Sequence, residues 1–346
     1  MQLFGCVTIM PPMALPDYRS IIETPAYDFL RSEPRLKDRL LFLCVSGSNA
    51  YGTNVEGSDL DVRGVALDPL EGLLGFESFE QFEDRETDTA IYSLSKFQKL
   101  AQQGNPNIVE LFFLEKEHYL YVSPLGQRLL DAGPLFLTKK AMRCLKGFAL
   151  AQWDRLESAL LHSGESLPPE LWRSHVRHSM QNAADAARDQ IGFDATMEVL
   201  ESDDERFPIR LKSEGIPLDN LYAVISEMNA VLRSYQKNIG KNKTQTDRHI
   251  NKHMMHGIRL FLTAIEFLET GVYRTYRGQD KELLLSIRNG ECRNNDGSLS
   301  DAFISMWDTY KTRFEDLLQK SGIPEQCDKK KIAGIVCDIM MKGLKQ

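Results

Sequence analysis

Residues whose types and spacing could do chemistry crowd one short stretch. Between Leu43 and Leu67 the chain reads LCVSGSNAYGTNVEGSDLDVRGVAL, with a Gly47-Ser48 pair and two aspartates, Asp59 and Asp61, one residue apart. In an extended strand side chains alternate faces, so Asp59 and Asp61 are expected on one side and Leu60 and Val62 on the other. Two unit charges about 4 Å apart repel by roughly 4 kcal/mol at an effective dielectric near 20, so something positive should sit between them. Hard oxygen donors favour Mg²⁺ or Mn²⁺; Mg²⁺ is usually held by one or two carboxylates together with substrate phosphates. Gly47 lets the backbone come close. The turn it opens, with the Ser48 hydroxyl and the backbone N–H groups of a following helix, suits a phosphate. Each feature alone is common in solvated loops. Their order along the chain is what points to a site for metal and nucleotide.

The elements that must position these residues follow from pattern. Leu40 to Ser46 is a compact apolar run, predicting a strand buried on both faces that stops at Gly47. Asn49 to Thr53 reads as a short helical turn, NVEGSD as a loop, and Leu60 to Leu67 as a second strand. A third strand is expected over Glu86 to Leu94, ETDTAIYSL, which is rich in β-branched and aromatic residues. Beyond Thr138 the apolar residues recur three and four apart, as in AMRCLKGFALAQWDRLESALL, LDNLYAVISEMNAVLRSYQ, HMMHGIRLFLTAIEFLETG and AFISMWDTYKTRFEDLLQK, which predicts helices. Gly271 suits the C′ position of one of them, and HSGESLPPE and KSEGIPLD supply turn chemistry between others.

Composition sets the frame. The 346 residues suggest two domains with modest cores. A formal net charge of −7 disfavours one long nucleic-acid-binding face, although a local basic groove is compatible with it. Six cysteines form no C-x-x-C pair, which predicts free thiols in a reducing compartment. The start, MQLFGCVTIMPPMALP, is apolar but has no Lys or Arg before the apolar run and is interrupted by prolines, unlike a secretion signal. No apolar run approaches the roughly 20 residues that span a bilayer. The expectation is a cytoplasmic protein with no membrane partner.

GSNAYG followed by GSDLDVRG resembles the nucleotidyltransferases of the DNA polymerase β superfamily, whose signature is a Gly-Ser turn and then a Ser-Asp-x-Asp strand. The wording around Ala50-Tyr51-Gly52 and Arg63-Gly64 is similar to the YcgL-like group of predicted nucleotidyltransferases, which has bacterial and phage members. YSLSKFQKLAQQGNPNIVELFF, KHMMHGIRLFLTAIEFLETG and LLLSIRNGE extend the likeness over most of Leu40 to Glu291. The resemblance implies an α+β fold. A polymerase-β-like domain with a small mixed sheet, residues 1–135, would be followed by an all-helical domain, residues 136–346, that closes the cleft. It implies that Gly47 and Ser48 bind phosphate and that Asp59 and Asp61 hold a divalent metal. A third carboxylate belongs on a neighbouring strand; alternation in ETDTAIYSL offers Glu86 or Asp88, and Asp88 is preferred because it directly precedes the strand-like run. The implied reaction is in-line attack of an acceptor hydroxyl on the α-phosphorus of a nucleoside triphosphate, ATP among the candidates, with release of pyrophosphate. One metal would be held by Asp59 and Asp61 and a second shared with Asp88, which would also accept the proton. The acceptor could be a protein, a small molecule or an RNA end.

Other residues divide between binding and structure. Arg63, on the strand face of the acidic pair, suits either a phosphate contact or a charge-balancing salt bridge. Asn105 and Glu110, in GNPNIVE, either line the site or belong to a helix start, where Asn105 would be the N-cap. Lys252, His256 and Arg259 fall on one helix face and form a basic edge that would reach the nucleotide or make salt bridges between domains. His249, His253 and His256 share a helix side, but with no H-E-x-x-H arrangement a zinc site is disfavoured. QKNIGKNKTQTDRH lacks Walker spacing and reads as solvated loop charge. Arg277, Arg288 and Glu291 are singled out by the resemblance without a task. Two rival functions are a nucleotide-binding regulator without turnover and an antitoxin-like enzyme that modifies a partner protein. Unneutralised repulsion within the acidic pair would argue against the regulator.

Overall fold

The computed structural model describes residues 18–77, 79–161, 173, 176–185, 196–200, 207–213, 215–238, 247–295 and 297–345. Cys6 and the apolar N-terminal stretch lie outside them, as do HSGESLPPE and most of the lysine-rich loop. The fold is α+β, with a small mixed sheet followed by helices.

Five strands, β1 (Leu40–Ser46), β2 (Asp61–Ala66), β3 (Gln81–Asp84), β4 (Thr89–Ser93) and β5 (Tyr119–Val122), form a sheet in the order β3-β4-β2-β1-β5. β2 pairs antiparallel with β1 and parallel with β4. The uninterrupted apolar run of β1 is explained by what covers it. Phe42 and Cys44 join one core, with Val65, Phe97, Leu111 and Phe136, while Leu43 and Val45 join another, with Tyr27, Leu36, Val62 and Ile91. A strand sandwiched in this way has no polar face to alternate with.

Helix α1 (Leu94–Gln103) starts where the Ser93 hydroxyl accepts a hydrogen bond from the Lys96 N–H at 3.1 Å, and α2 (Pro124–Leu130) packs on β1. The helical part has its own core between α3 (Lys139–Leu161), α5 (Asp247–Thr270), α6 (Lys281–Asn289) and α7 (Asp301–Lys320). Met254, Ile258, Phe261 and Ile265 of α5 recur three and four apart and are all buried there. Gly271 closes α5 in the left-handed region, its N–H donating to the Phe267 carbonyl at 2.8 Å. Helix α4 (Leu218–Asn238) and the hairpin of β6 (Thr196–Val199) and β7 (Ile209–Lys212) share a smaller core with the helical stretch 176–185.

The last helix, α8 (Lys329–Gly343), returns to the sheet. Its Ile332, Ile339 and Met340 are buried with Leu41, Phe97 and Leu129. Strands β3 and β5 and helix α8 were not expected from the sequence. No helix among the described residues is long and apolar enough to cross a membrane.

Candidate active site

Gly47 is the hinge of the site. It follows β1 with φ +63, a left-handed value that favours glycine, and begins a single helical turn, Gly47–Tyr51. The expected turn, Asn49 to Thr53, therefore starts two residues earlier. A Cβ at Gly47 would lie 2.0 Å from Asp61 Oδ2, so the aspartate carboxylate fills the space that the missing side chain leaves. The register of the sheet sets this up, because Ser46 pairs with Asp61 across β1 and β2.

The acidic residues are arranged differently from the sequence expectation. Strand β2 starts at Asp61, not Leu60, so Asp59 lies outside it and is exposed, its carbonyl accepting from Asn49 Nδ2 at 2.9 Å. Asp61 instead meets Asp88 across the parallel β2–β4 pairing. Val62 is aligned with Thr89, and the Val62 N–H donates to the Asp88 carbonyl at 3.1 Å. The third strand begins only at Thr89; Asp88 sits just before it with φ +45, a left-handed conformation that aspartate tolerates better than most residues. Glu86 is exposed in the turn leading to β4.

Arg63 supplies the positive charge that the pair requires. Its Nη2 lies 3.1 Å from Asp61 Oδ1 and its Nη1 lies 3.3 Å from Asp88 Oδ1. The same Nη1 donates to the carbonyls of Asp88 at 2.6 Å and Val62 at 2.9 Å. The repulsion anticipated between acidic neighbours is therefore compensated within the protein, which removes it as an argument against a nucleotide-binding regulator. Burial pushes the Asp61 carboxyl above its ordinary value, Asp88 adds to the rise, and Arg63 and Lys252 oppose it.

Lys252 is exposed on α5, on the helical side of the site, and its effect on Asp61 places the two in electrostatic reach. Arg259 goes elsewhere. It is buried, with Nη1 3.4 Å from Glu110 Oε2 and its guanidinium carbon 3.5 Å from the centre of the Tyr51 ring. The Tyr51 hydroxyl donates to Glu110 Oε1 at 2.7 Å. Arg259 makes a buried salt bridge to Glu110, which matches one of the two roles considered for it. Glu110 belongs to this cluster too. Desolvation raises its carboxyl despite Arg259 and Tyr51. Desolvation also works against the Arg259 guanidinium, yet Tyr51, Glu110 and Tyr273 outweigh it and leave that group above its ordinary value. His256 stands edge-on to Tyr51, ring centres 6.2 Å apart; burial and then Arg259, Lys252, His253 and Arg288 hold it well below its ordinary value.

Asn105 acts as the N-cap of the short helix Pro106–Val109, accepting from the Asn107 N–H at 3.0 Å. It also lines a cavity of about 390 Å³ with Cys144, Asp154, Asn182 and Glu227, whose lining includes none of Gly47, Asp61 or Asp88. His253 Nδ1 lies 2.8 Å from Gln152 Oε1 of α3, which gives that histidine a partner between helices.

Arg277 and Arg288, singled out in the sequence without a task, belong to a segment that braces the turn from behind, and Thr275 and Tyr276 beside them were not anticipated. The Arg277 N–H donates to the Tyr51 carbonyl at 3.0 Å and the Thr275 hydroxyl to the Glu110 carbonyl at 2.8 Å. A Cβ at Gly52, φ +73, would lie 2.5 Å from Tyr276 Cε2. Arg277 is buried in ion pairs with Glu266 and Asp280, and Arg288 donates to the Thr53 carbonyl. The run of aromatic and charged residues in TYRGQD was the available signal.

Among the described residues no three His, Cys, Asp or Glu side chains are gathered to hold a metal ion. The pair Asp61–Asp88 still fits a hard divalent cation, because Mg²⁺ needs only one or two carboxylates when phosphates and water complete its shell. The donors are all oxygens, and Asp61 is already held in the Gly47 notch.

Comparison with curated proteins and with solved structures gives no match. A family model, RlaP, described as RNA repair pathway DNA polymerase beta family, matches residues 21–167. That span contains the whole five-stranded sheet, Gly47, Asp59, Asp61, Asp88 and Glu110, and ends beyond α3; α5 with Lys252 and Arg259 lies outside it. Over those residues, less than half of the chain, the protein is similar to that polymerase-β-type family.

Proposed function

We propose that the chain is a divalent-metal-dependent nucleotidyltransferase that moves a nucleoside monophosphate from a nucleoside triphosphate to an acceptor hydroxyl and releases pyrophosphate. The observation that carries this reading is the fit of the Asp61 carboxylate into the space left by Gly47, which ties a carboxylate to a glycine turn where a phosphate and a cation would meet. Asp61 and Asp88, with Asp59 nearby in the loop, are the residues that would hold Mg²⁺ or Mn²⁺. When bound, such an ion would offset the negative charge of the triphosphate and favour ionisation of the attacking hydroxyl.

The rest falls to the chain itself. Gly47 and Ser48 offer backbone N–H groups and a hydroxyl to phosphate oxygens, and Lys252 adds positive charge from α5. Asp88, the more exposed of the two carboxylates, takes the proton of the acceptor hydroxyl as its oxygen bonds to the α-phosphorus. The bond from the α-phosphorus to the bridging oxygen breaks, and pyrophosphate leaves. The buried Tyr51–Glu110–Arg259 cluster holds the turn in position and touches no substrate. Within the superfamily the motif wording favours the YcgL-like group. The description of the matching family as an RNA repair pathway polymerase favours an RNA end over a protein or a small molecule as acceptor.

Incubation with α-labelled nucleoside triphosphates and Mg²⁺ or Mn²⁺, offering RNA ends, protein and small-molecule acceptors in parallel, tests the reading. Label in the RNA fraction with stoichiometric pyrophosphate, abolished by Asp61→Ala, is the expected result. Tight nucleotide binding without pyrophosphate release under every acceptor would favour a regulator, a reading that the Arg63 bridge makes physically tenable.

A further inference from the structure

One guanidinium closes the acidic pair. Arg63 divides its donors: Nη1 is anchored to the Val62 and Asp88 carbonyls, whereas Nη2 reaches Asp61 Oδ1 at 3.1 Å and Asp88 Oδ1 at 3.3 Å. Asp61 and Asp88 are the carboxylates paired with it among the described residues. Lys252 is the other cation acting on Asp61, and no ion pair joins it to a described carboxylate. A forked, planar cation between two carboxylates is a strong and specific arrangement. It also occupies one oxygen of each carboxylate, Asp61 Oδ1 and Asp88 Oδ1, and so opposes the charge of a divalent ion at the pair.

Releasing both carboxylates to a divalent ion would leave the Nη2 edge of the half-buried guanidinium without an anion, which is costly unless another replaces them. The backbone anchors on Nη1 would keep Arg63 at the site through such an exchange. The phosphate tail of a nucleotide is an anion of suitable geometry, and Gly47-Ser48 would hold it beside Asp61. We propose that Arg63 is a resident counter-cation that competes with a divalent ion for Asp61 and Asp88 until the phosphates of a nucleoside triphosphate take over its guanidinium, so that metal and nucleotide load together. This inference rests on the metal-dependent reading above. Arg63 then acts on the metal through Asp61 and Asp88 and on the nucleotide directly, and metal and nucleotide raise each other's affinity by the same factor.

Mn²⁺ binding to the full-length chain, read from the electron paramagnetic resonance signal of the free ion, tests this for wild type, Arg63→Gln and Arg63→Lys. Each is measured with and without α,β-methylene-ATP, and thermal melts monitored by circular dichroism check folding. Without nucleotide, Arg63→Gln should bind Mn²⁺ at least about tenfold more tightly than wild type, the scale on which neighbours of metal ligands alter affinity. The tightening that nucleotide gives wild type should shrink in this variant. Arg63→Lys, a point charge that cannot fork between two carboxylates, should fall between the two. Folded Arg63→Gln binding Mn²⁺ no more tightly than wild type overturns the proposal while leaving the metal site intact. If Arg63→Gln does not fold, Arg63→Lys decides, and an affinity equal to wild type overturns it. Mn²⁺ bound by none of the proteins, even with nucleotide, overturns the metal-dependent reading and this inference together.

Discussion

Two carboxylate–arginine clusters flank the same helical turn, and they differ in nearly everything but composition. At one end, Asp61, Arg63 and Asp88 have side chains 27%, 23% and 56% exposed. At the other, Glu110 and Arg259 are 4% and 5% exposed, with Arg259 stacked on the Tyr51 ring and Glu110 accepting from the Tyr51 hydroxyl. A buried pair is locked, because separating it strands a charge in a poorly solvated place. A half-open pair can exchange partners, because water and incoming ions share the cost of separation. The same pairing of carboxylate with guanidinium thus gives a brace in one place and a place for chemistry in the other, and exposure makes the difference.

The strongest way to break the comparison is to remove one member of the open cluster. Asp61→Ala should lower nucleotide transfer by about a thousandfold or more, as expected from losing several kcal/mol of charge stabilisation, while the fold persists. Pyrophosphate release alongside a thermal melt checks both halves. The same experiment on the buried cluster should invert the outcome. Glu110→Ala leaves Arg259 unpaired and should destabilise the fold by about 3–5 kcal/mol in urea unfolding. Replacing both partners, as Glu110→Leu with Arg259→Met, should recover much of that loss, because apolar pairs of similar volume avoid the stranded charge. Failure of the double variant to improve on the single one would mean that the cluster does more than brace.

Gly47→Ala tests the hinge between the two clusters. A methyl group there meets Asp61 Oδ2, and its backbone must adopt φ +63, a conformation that costs a non-glycine residue about 1–3 kcal/mol. Urea unfolding should report that loss, and nucleotide transfer should fall further than stability does, because Asp61 is displaced. The smallest expected effect is on pH dependence. Burial holds the folded Asp61 carboxyl above its ordinary value of 3.8, so the folded protein binds that proton more tightly than the unfolded chain. Its contribution to stability is complete below 3.8 and is lost as pH rises through the folded value. Asp61→Asn should therefore gain stability relative to wild type as pH is raised from about 4 towards 7, as melts across that range would record. A constant difference across the range would mean that Asp61 is as well solvated as in the unfolded chain.

Legibility in the sequence followed locality. Strand β1 was readable over Leu40–Ser46 because burial on both faces leaves a continuous apolar run. Helices α3, α4, α5 and α7 were readable because their apolar residues keep a 3.6-residue period over five turns or more. The four-residue strands β3 and β5 were not, since they are short, lie at the sheet edges, and carry partly exposed side chains with no distinct alternation. Helix α8 was missed because its apolar residues run nearly unbroken from Ile332 to Met341 with no clear 3.6-residue stripe, and its buried face is defined by the sheet it rejoins.

At the site, the sequence by itself determined the inventory: a glycine where only a left-handed turn fits, acidic residues in a short span, and an arginine two residues after the second aspartate. The i, i+2 alternation of an extended strand was enough to put Arg63 beside Asp61. Which carboxylate joins Asp61, and which arginine is withdrawn into the core, only the tertiary structure decided. Asp88 reaches Asp61 through the parallel pairing of β2 with β4, and Arg259 reaches Glu110 across 149 positions of chain. Neither distance has a signature in local spacing, because strand register and helix packing are set by the summed burial of residues far from the site.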